Sequence, residues 1–226
     1  MKKTITTKNN KVTIPVPTIR RLPLYLSFLK SINKKENIFI TAPRIAQELL
    51  VDPSQITKDL SYIKVKGKTK IGYEINLLIN VIESFLGYDI HRKAFIVGVG
   101  NLGTALMKFS EFNFEGIEII KGFDIANEKM GIEVNRIKTF NIKTIKDNFD
   151  KTPVDIGIIT VPNDQAQKVA DTLIKCGIKA IWNFSTMPIS APDNIIIENT
   201  SIDSSLAMIK WKLNKNKPLI YKNRIL

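Results

Sequence analysis

Apolar residues recur at helical spacing in four stretches of the first ninety positions. Residues 1–13 are polar and read as an irregular lead. Pro15 and Pro17 then introduce a helix over 18–30, with Pro23 near its first turn, where a missing N–H costs little. Thr41 is an N-cap candidate with Pro43 just inside a short helix whose Ile45, Ala46, Leu49 and Leu50 share one face. Asp52 closes a tight turn and caps a third helix over 54–63, with Ile56, Leu60 and Ile63 as its inward stripe. Two short helices about a tight turn make a helix-turn-helix. In that motif the first residues of the second helix face base edges, which here exposes Ser54, Gln55, Thr57 and Lys58. Residues 64–73 alternate lysine with other residues around Gly67 and read as a β-hairpin wing. Its Lys64, Lys66, Lys68 and Lys70 either meet phosphates or guard a solvated edge against aggregation. A helix over 74–86 ends at Gly87, a C′ residue.

From Lys93 the rhythm changes to short apolar runs, at 94–99, 117–123, 155–161 and 180–184, alternating with helical patterns, which predicts a parallel α/β sheet. The first run leads into Gly98-Val-Gly-Asn-Leu-Gly103 and a helix, the context in which a glycine fingerprint binds a dinucleotide. Gly98 permits the turn, Gly100 lets backbone approach a pyrophosphate, and Gly103 allows helix and strand to pack closely. Asn101 and Leu102 open the helix whose unpaired N–H groups favour phosphate. Asp124 follows Gly100 by 24 residues, where a carboxylate accepts from ribose hydroxyls and repels a 2′-phosphate, so NAD(H) is expected over NADP(H). Val161, Pro162 and Asn163 either line the same crevice or form an ordinary strand-to-helix loop. Over 201–213, Ile202, Leu206, Ile209 and Leu213 form a stripe that needs a partner, on its own domain or on a second subunit.

Charge sharpens this division. The net charge is +13, with 15 Lys/Arg against 7 Asp/Glu in residues 1–90, 14 against 14 in 91–210, and 5 against none in 211–226. A basic first third joined to a neutral middle suits a nucleic-acid-binding module fused to a metabolite-binding one. A single cysteine, Cys176, and a single histidine, His91, exclude a disulfide framework and a structural zinc site. No apolar run approaches membrane-spanning length, and the start has no signal-peptide core, so a cytoplasmic location is expected. A nicotinamide enzyme needs a group that moves a proton with the hydride. His91 precedes the fingerprint strand and no substrate domain is evident, so binding without turnover is the simpler reading.

Arg21-Leu-Pro-Leu-Tyr25, Lys58-Asp-Leu-Ser-Tyr62, Gly72-Tyr73, Val97-Gly-Val-Gly-Asn-Leu-Gly103, Phe123-Asp124, Asn183-Phe184-Ser185 and Ile202-Asp203 together resemble the Rex family of bacterial redox-sensing repressors along nearly the whole chain. The resemblance implies a homodimer with exchanged C-terminal helices, an NAD(H) site in each subunit, and two winged helices on a two-fold symmetric operator of double-stranded DNA. It further implies repression that NAD+ permits and NADH relieves. Arg21 and the partner subunit's Asp203 would belong to the network that distinguishes the two forms. The chain departs from the family at four places. Thr57 stands where an arginine is usual, the wing carries four lysines, Phe109 replaces a tyrosine of the switch network, and Ser185-Thr186-Met187-Pro188 replaces Thr-Pro or Ser-Pro.

The expected architecture is thus a winged helix-turn-helix domain (1–90), a Rossmann NAD(H)-binding domain (91–200), and a C-terminal, domain-swapped dimerisation helix with a basic tail (201–226). Two other readings stay open: a DNA-binding paralogue that has lost redox sensitivity, and an NAD-dependent oxidoreductase with a basic N-terminal domain.

Overall fold

The computed structural model describes residues 4–6, 13–32, 38–109 and 115–214. The chain divides into two compact units, Met1–Ile90 and His91–Leu226.

In the first unit, β1 (Thr4–Thr6) pairs antiparallel with β2 (Thr13–Pro15), so the polar lead is not irregular throughout. Backbone pairing between strands needs no apolar signal of its own, which is why the lead looked unstructured. Helix α1 (Val16–Ser31) starts at the Pro15 cap with Pro17 in its first turn. Pro23 lies at its centre rather than near its start. The bond that Pro23 cannot donate is outweighed by burial of Leu22, Tyr25, Leu26 and Leu29 on one stripe, each contributing about 1.5–3 kcal/mol relative to exposure. β3 (Phe39–Ile40) leads to α2 (Ala42–Leu49), where Thr41 Oγ1 accepts from the Arg44 N–H. Leu50 does not join the inward face: it caps α2 at φ 53° and is 93% exposed. The left-handed residue reverses the chain, and this points its side chain outward. α3 (Pro53–Tyr62) begins at Asp52, which accepts from the Ser54 N–H at 2.8 Å. The wing is shorter than the lysine alternation suggested. Its turn lies not around Gly67 but between Lys68 and Gly72, which exchange backbone bonds of 2.8 and 2.9 Å, with Lys70 at φ 64°. The register follows from Gly72: a Cβ there would overlap the Ile40 carbonyl oxygen, where β4 (Tyr73–Glu74) pairs with β3. α4 (Ile75–Leu86) ends at Gly87 in the left-handed region. One core joins the four helices, with Leu22, Ile45, Ile56, Leu60, Leu78 and Ile82 among its members.

The second unit is built on a seven-stranded sheet. In chain order the strands are β5 (Arg92–Val97), β6 (Ile117–Asp124), β7 (Glu133–Val134), β8 (Ile137–Asn141), β9 (Ile156–Ile159), β10 (Ala180–Asn183) and β11 (Ile196–Asn199). Their order across the sheet is β11-β10-β9-β5-β6-β8-β7, parallel except for the β7–β8 hairpin. This is the doubly wound order, with its switch point between β5 and β9. The hairpin turns on Asn135 and Arg136, both at positive φ. Strands β7, β8 and β11 did not emerge from the sequence, being short and partly exposed. The helices are α5 (Asn101–Lys108), α6 (Ile145–Lys151), α7 (Asn163–Cys176) and α8 (Ile202–Asn214). Alternation along β5 sends Phe95 and Val97 to the face covered by α6 and α7, and Ala94 and Ile96 to the face with Met107 of α5. Every described side chain of α8 is exposed within the chain, its Ile202, Leu206, Ile209 and Leu213 included. The basic tail after Asn214 lies outside the described residues. Among those described, no helix is long and apolar enough to cross a membrane.

Candidate functional site

The second unit opens a cavity of about 950 Å³ where β5 and β9 diverge. Gly98 ends β5 at φ 99°, and an added Cβ would sit 2.8 Å from the Thr160 carbonyl. Thr160 Oγ1 donates to the Gly98 carbonyl oxygen at 2.6 Å, tying the two strand ends together. A Cβ on Gly103 would overlap that same carbonyl oxygen, so only glycine lets α5 lie this close to the sheet. Gly100 caps α5 and nothing lies within 4 Å of where its Cβ would be, which leaves the helix N-terminus open to the cavity. Asn101 and Leu102 occupy that exposed first turn, and Leu102, Val161 and Pro162 line the cavity.

Asp124 is the only acidic residue among the described lining, beside Lys129, Lys143, Lys146 and Lys168. Its Oδ2 accepts from the Val99 N–H at 2.7 Å and from Lys129 Nζ at 3.2 Å, and its Oδ1 accepts from the Ala126 N–H at 3.0 Å. Burial pushes this carboxyl up, and the bonds from Ala126, Val99 and Lys129 outweigh it and hold the group below the usual carboxylate range. The carboxylate is therefore ionised but largely neutralised on site. None of the four lysines was singled out in the sequence. The short 3-10 turn Asn127–Lys129 brings Lys129 back to Asp124, and no periodicity marks such a turn.

The far wall is the segment after β10. Buried Asn183 accepts from the Ser185 N–H and Oγ and donates to the Met187 carbonyl oxygen and to Asn199 Oδ1. Asn163 Oδ1 accepts from the Thr186 N–H at 2.9 Å, and its Nδ2 donates to Thr186 Oγ1. The segment that departs from the family pattern is thus braced, and it presents Phe184, Ser185 and Thr186 to the cavity. His91 is exposed and Cys176 is half-buried, its thiol pushed up by burial. No cluster of three potential metal ligands occurs among the described residues.

In the first unit, Ser54, Thr57 and Lys58 of α3 are exposed, as are Lys64, Lys66, Lys68 and Lys70. Thr57 and Ser61 share a groove of about 610 Å³ with the start of α2 and with Lys66, Lys68 and Lys70. Gln55 differs from its neighbours: it is half-buried, and its Nε2 donates to Asp59 at 2.9 Å. Asp59 is 0% exposed and was not singled out in the sequence. Its Oδ1 accepts from Thr18 Oγ1 at 2.8 Å, Arg21 Nη2 at 2.8 Å and Gln55, and its Oδ2 from Arg21 Nε and Tyr25 Oη, both at 2.7 Å. Burial pushes Asp59 up, but Arg21, Tyr25 and Thr18 together hold it below the usual range. Burial, followed by the Asp59 partner, pushes the Tyr25 hydroxyl well above its own. Of the expected switch residues, Arg21 is held bidentately by Asp59, Phe109 caps α5 and is 49% exposed, and Asp203 lies exposed in the first turn of α8.

Comparison with known proteins gives concordant matches. Residues 89–187 match a family model described as a CoA binding domain, and residues 13–61 one described as "Putative DNA-binding protein N-terminus". The redox-sensing transcriptional repressor Rex of Bacteroides fragilis is 41% identical over 204 residues, covering 90% of this chain and 93% of that protein. The Rex of Treponema denticola is 38% identical, covering 89% and 96%. The crystal structure of RSP in complex with β-NAD+ and operator DNA has a TM-score of 0.84 at 32% identity, covering 94% of each chain. That of RSP in complex with β-NADH scores 0.78 at 33% identity, covering 88% of this chain and 94% of that one.

Proposed function

The chain belongs to the Rex family of redox-sensing transcriptional repressors, and on that premise we propose that it is a DNA-binding repressor that reads the NADH/NAD+ ratio and leaves its operator when NADH binds. It is a regulator rather than an enzyme, acting in the cytoplasm as a homodimer on double-stranded DNA. The carrying observation is the cavity between β5 and β9, whose described lining holds four lysines and a single carboxylate that is already ion-paired.

The residues present suit NAD(H). The Gly98, Gly100 and Gly103 geometry, with Asn101 and Leu102, offers first-turn N–H groups to a pyrophosphate. Asp124 has acceptor capacity left on Oδ1 for a ribose hydroxyl, and Val161, Pro162 and Phe184 offer apolar wall to the rest of the ligand. NAD+ carries a cationic nicotinamide ring and NADH a neutral one. A basic pocket with apolar walls favours the ligand without the extra positive charge. This supplies the differential affinity that any ligand-driven shift between two states requires.

On the DNA side, Ser54, Gln55, Thr57 and Lys58 would read base edges, while Lys64, Lys66, Lys68 and Lys70 would neutralise phosphates. The wholly exposed α8, with its apolar stripe, suits cover by a second subunit. The redox link through Arg21 and the partner subunit's Asp203 would proceed without a hydroxyl at Phe109.

The first test is calorimetric titration of the full chain with NADH and separately with NAD+, followed by DNA binding with each ligand present. Tighter binding of NADH and DNA release by NADH are expected. Equal affinities, with DNA retained at saturating NADH, would instead identify a repressor that has lost redox control.

A further inference from the structure

Asp59 accepts five hydrogen bonds in the core of the N-terminal unit, and four of the donors come from α1. The fifth, Gln55, is on α3 itself, one turn before Asp59 and in the first turn of the helix. An ionised carboxylate has no proton to give, so the 2.9 Å contact must be made by the NH2 side of the Gln55 amide. One N–H is thereby committed to Asp59. The second N–H and Oε1 stay available, on a half-buried side chain flanked by the exposed Ser54, Thr57 and Lys58.

In the major groove adenine offers an N6 donor beside an N7 acceptor, the pair that a glutamine amide matches with its oxygen and one N–H. We propose that Asp59 is a positioning residue for the DNA-reading face: it holds the Gln55 amide in one orientation and so makes Gln55 a specificity-determining residue for adenine. The donors on α1 anchor Asp59 in turn. The cost of ordering a long amide side chain is incurred on folding rather than on binding. The inference rests on the DNA-binding reading above.

The test starts from wild-type full-length protein, which selects duplexes from a randomised pool. Base preference at each position is then measured by fluorescence anisotropy for wild type, Gln55→Ala and Asp59→Asn. Gln55→Ala is expected to lose about tenfold discrimination at one A·T position in each half-site. The slope of its salt dependence should match that of wild type, since no phosphate contact is removed. Asp59→Asn should lose the same preference, because its amide no longer dictates which way Gln55 faces. If Asp59→Asn does not fold, Gln55→Glu carries that arm: it cannot donate to Asp59 and should lose the preference too. Gln55→Ala with wild-type preferences at every position, or a loss at a G·C position, overturns the proposal while DNA binding stands. A wild-type chain that selects no sequence overturns the DNA-binding reading and this proposal with it.

Discussion

Each unit buries one aspartate, and the two are used in opposite ways. Asp59 is closed off: its donors are side chains of α1, 34 to 41 residues away in sequence, plus one from its own helix. Asp124 is left ajar: two of its donors are backbone N–H groups, the third is Lys129, and it faces a large cavity. Both carboxyls are held below their ordinary range, so a lowered pKa alone does not separate a group that faces a cavity from one enclosed between helices. What separates them is whether acceptor capacity is left over and whether space lies beyond it.

The sharpest way to break this contrast is Asp59→Ala, which leaves half-buried Arg21 and buried Tyr25 without their shared acceptor. We expect a loss of about 3–5 kcal/mol in the stability of the N-terminal unit, read by urea denaturation, with NADH affinity retained. Gly103→Ala attacks the other region, because its Cβ meets the Gly98 backbone. A loss of about 1–3 kcal/mol is expected, together with weakened NADH binding in calorimetry, since the turn that shapes the cavity must shift.

Acid sharpens the comparison further. A carboxyl depressed on folding contributes stability that is present above its unfolded pKa, about 3.9, and is lost as pH falls through the lower folded value. Denaturation midpoints should therefore fall steeply below about pH 4 in wild type and less steeply in Asp59→Asn. An equal slope in both would show that Asp59 is not the group responsible. The smallest effect is expected from Lys129→Ala. A partly exposed pair contributes about 0.2–1 kcal/mol, so NADH affinity should weaken by no more than about fivefold. A larger change would mean that Lys129 meets the ligand directly.

Much of this was legible beforehand wherever the signal is local. Thr41, Asp52 and Gly87 cap helices because short side chains, or a missing one, satisfy orphan backbone groups within a few residues. The glycine fingerprint is local too, since one strand, one turn and one helix contain it. Pro23 and Leu50 misled for a common reason: tertiary burial carries α1 through a proline, and a left-handed cap turns Leu50 outward, and neither is written in apolar spacing. Gln55 looked like its exposed neighbours until Asp59 was seen behind it.

The amino-acid sequence by itself determined the two kinds of unit, the glycine-rich turn between β5 and α5 and the basic face of the first domain. Periodicity, glycine placement and charge act over a few residues and survive without knowledge of the fold. Only the tertiary structure decided which groups meet. It assigned Arg21 to Asp59, returned Lys129 to Asp124, set Lys143, Lys146 and Lys168 around one cavity, and braced the Ser185–Thr186 segment on Asn183 and Asn163. Such pairings depend on strand order and helix packing. Those are set by the summed burial of many side chains, and no single stretch of sequence encodes them.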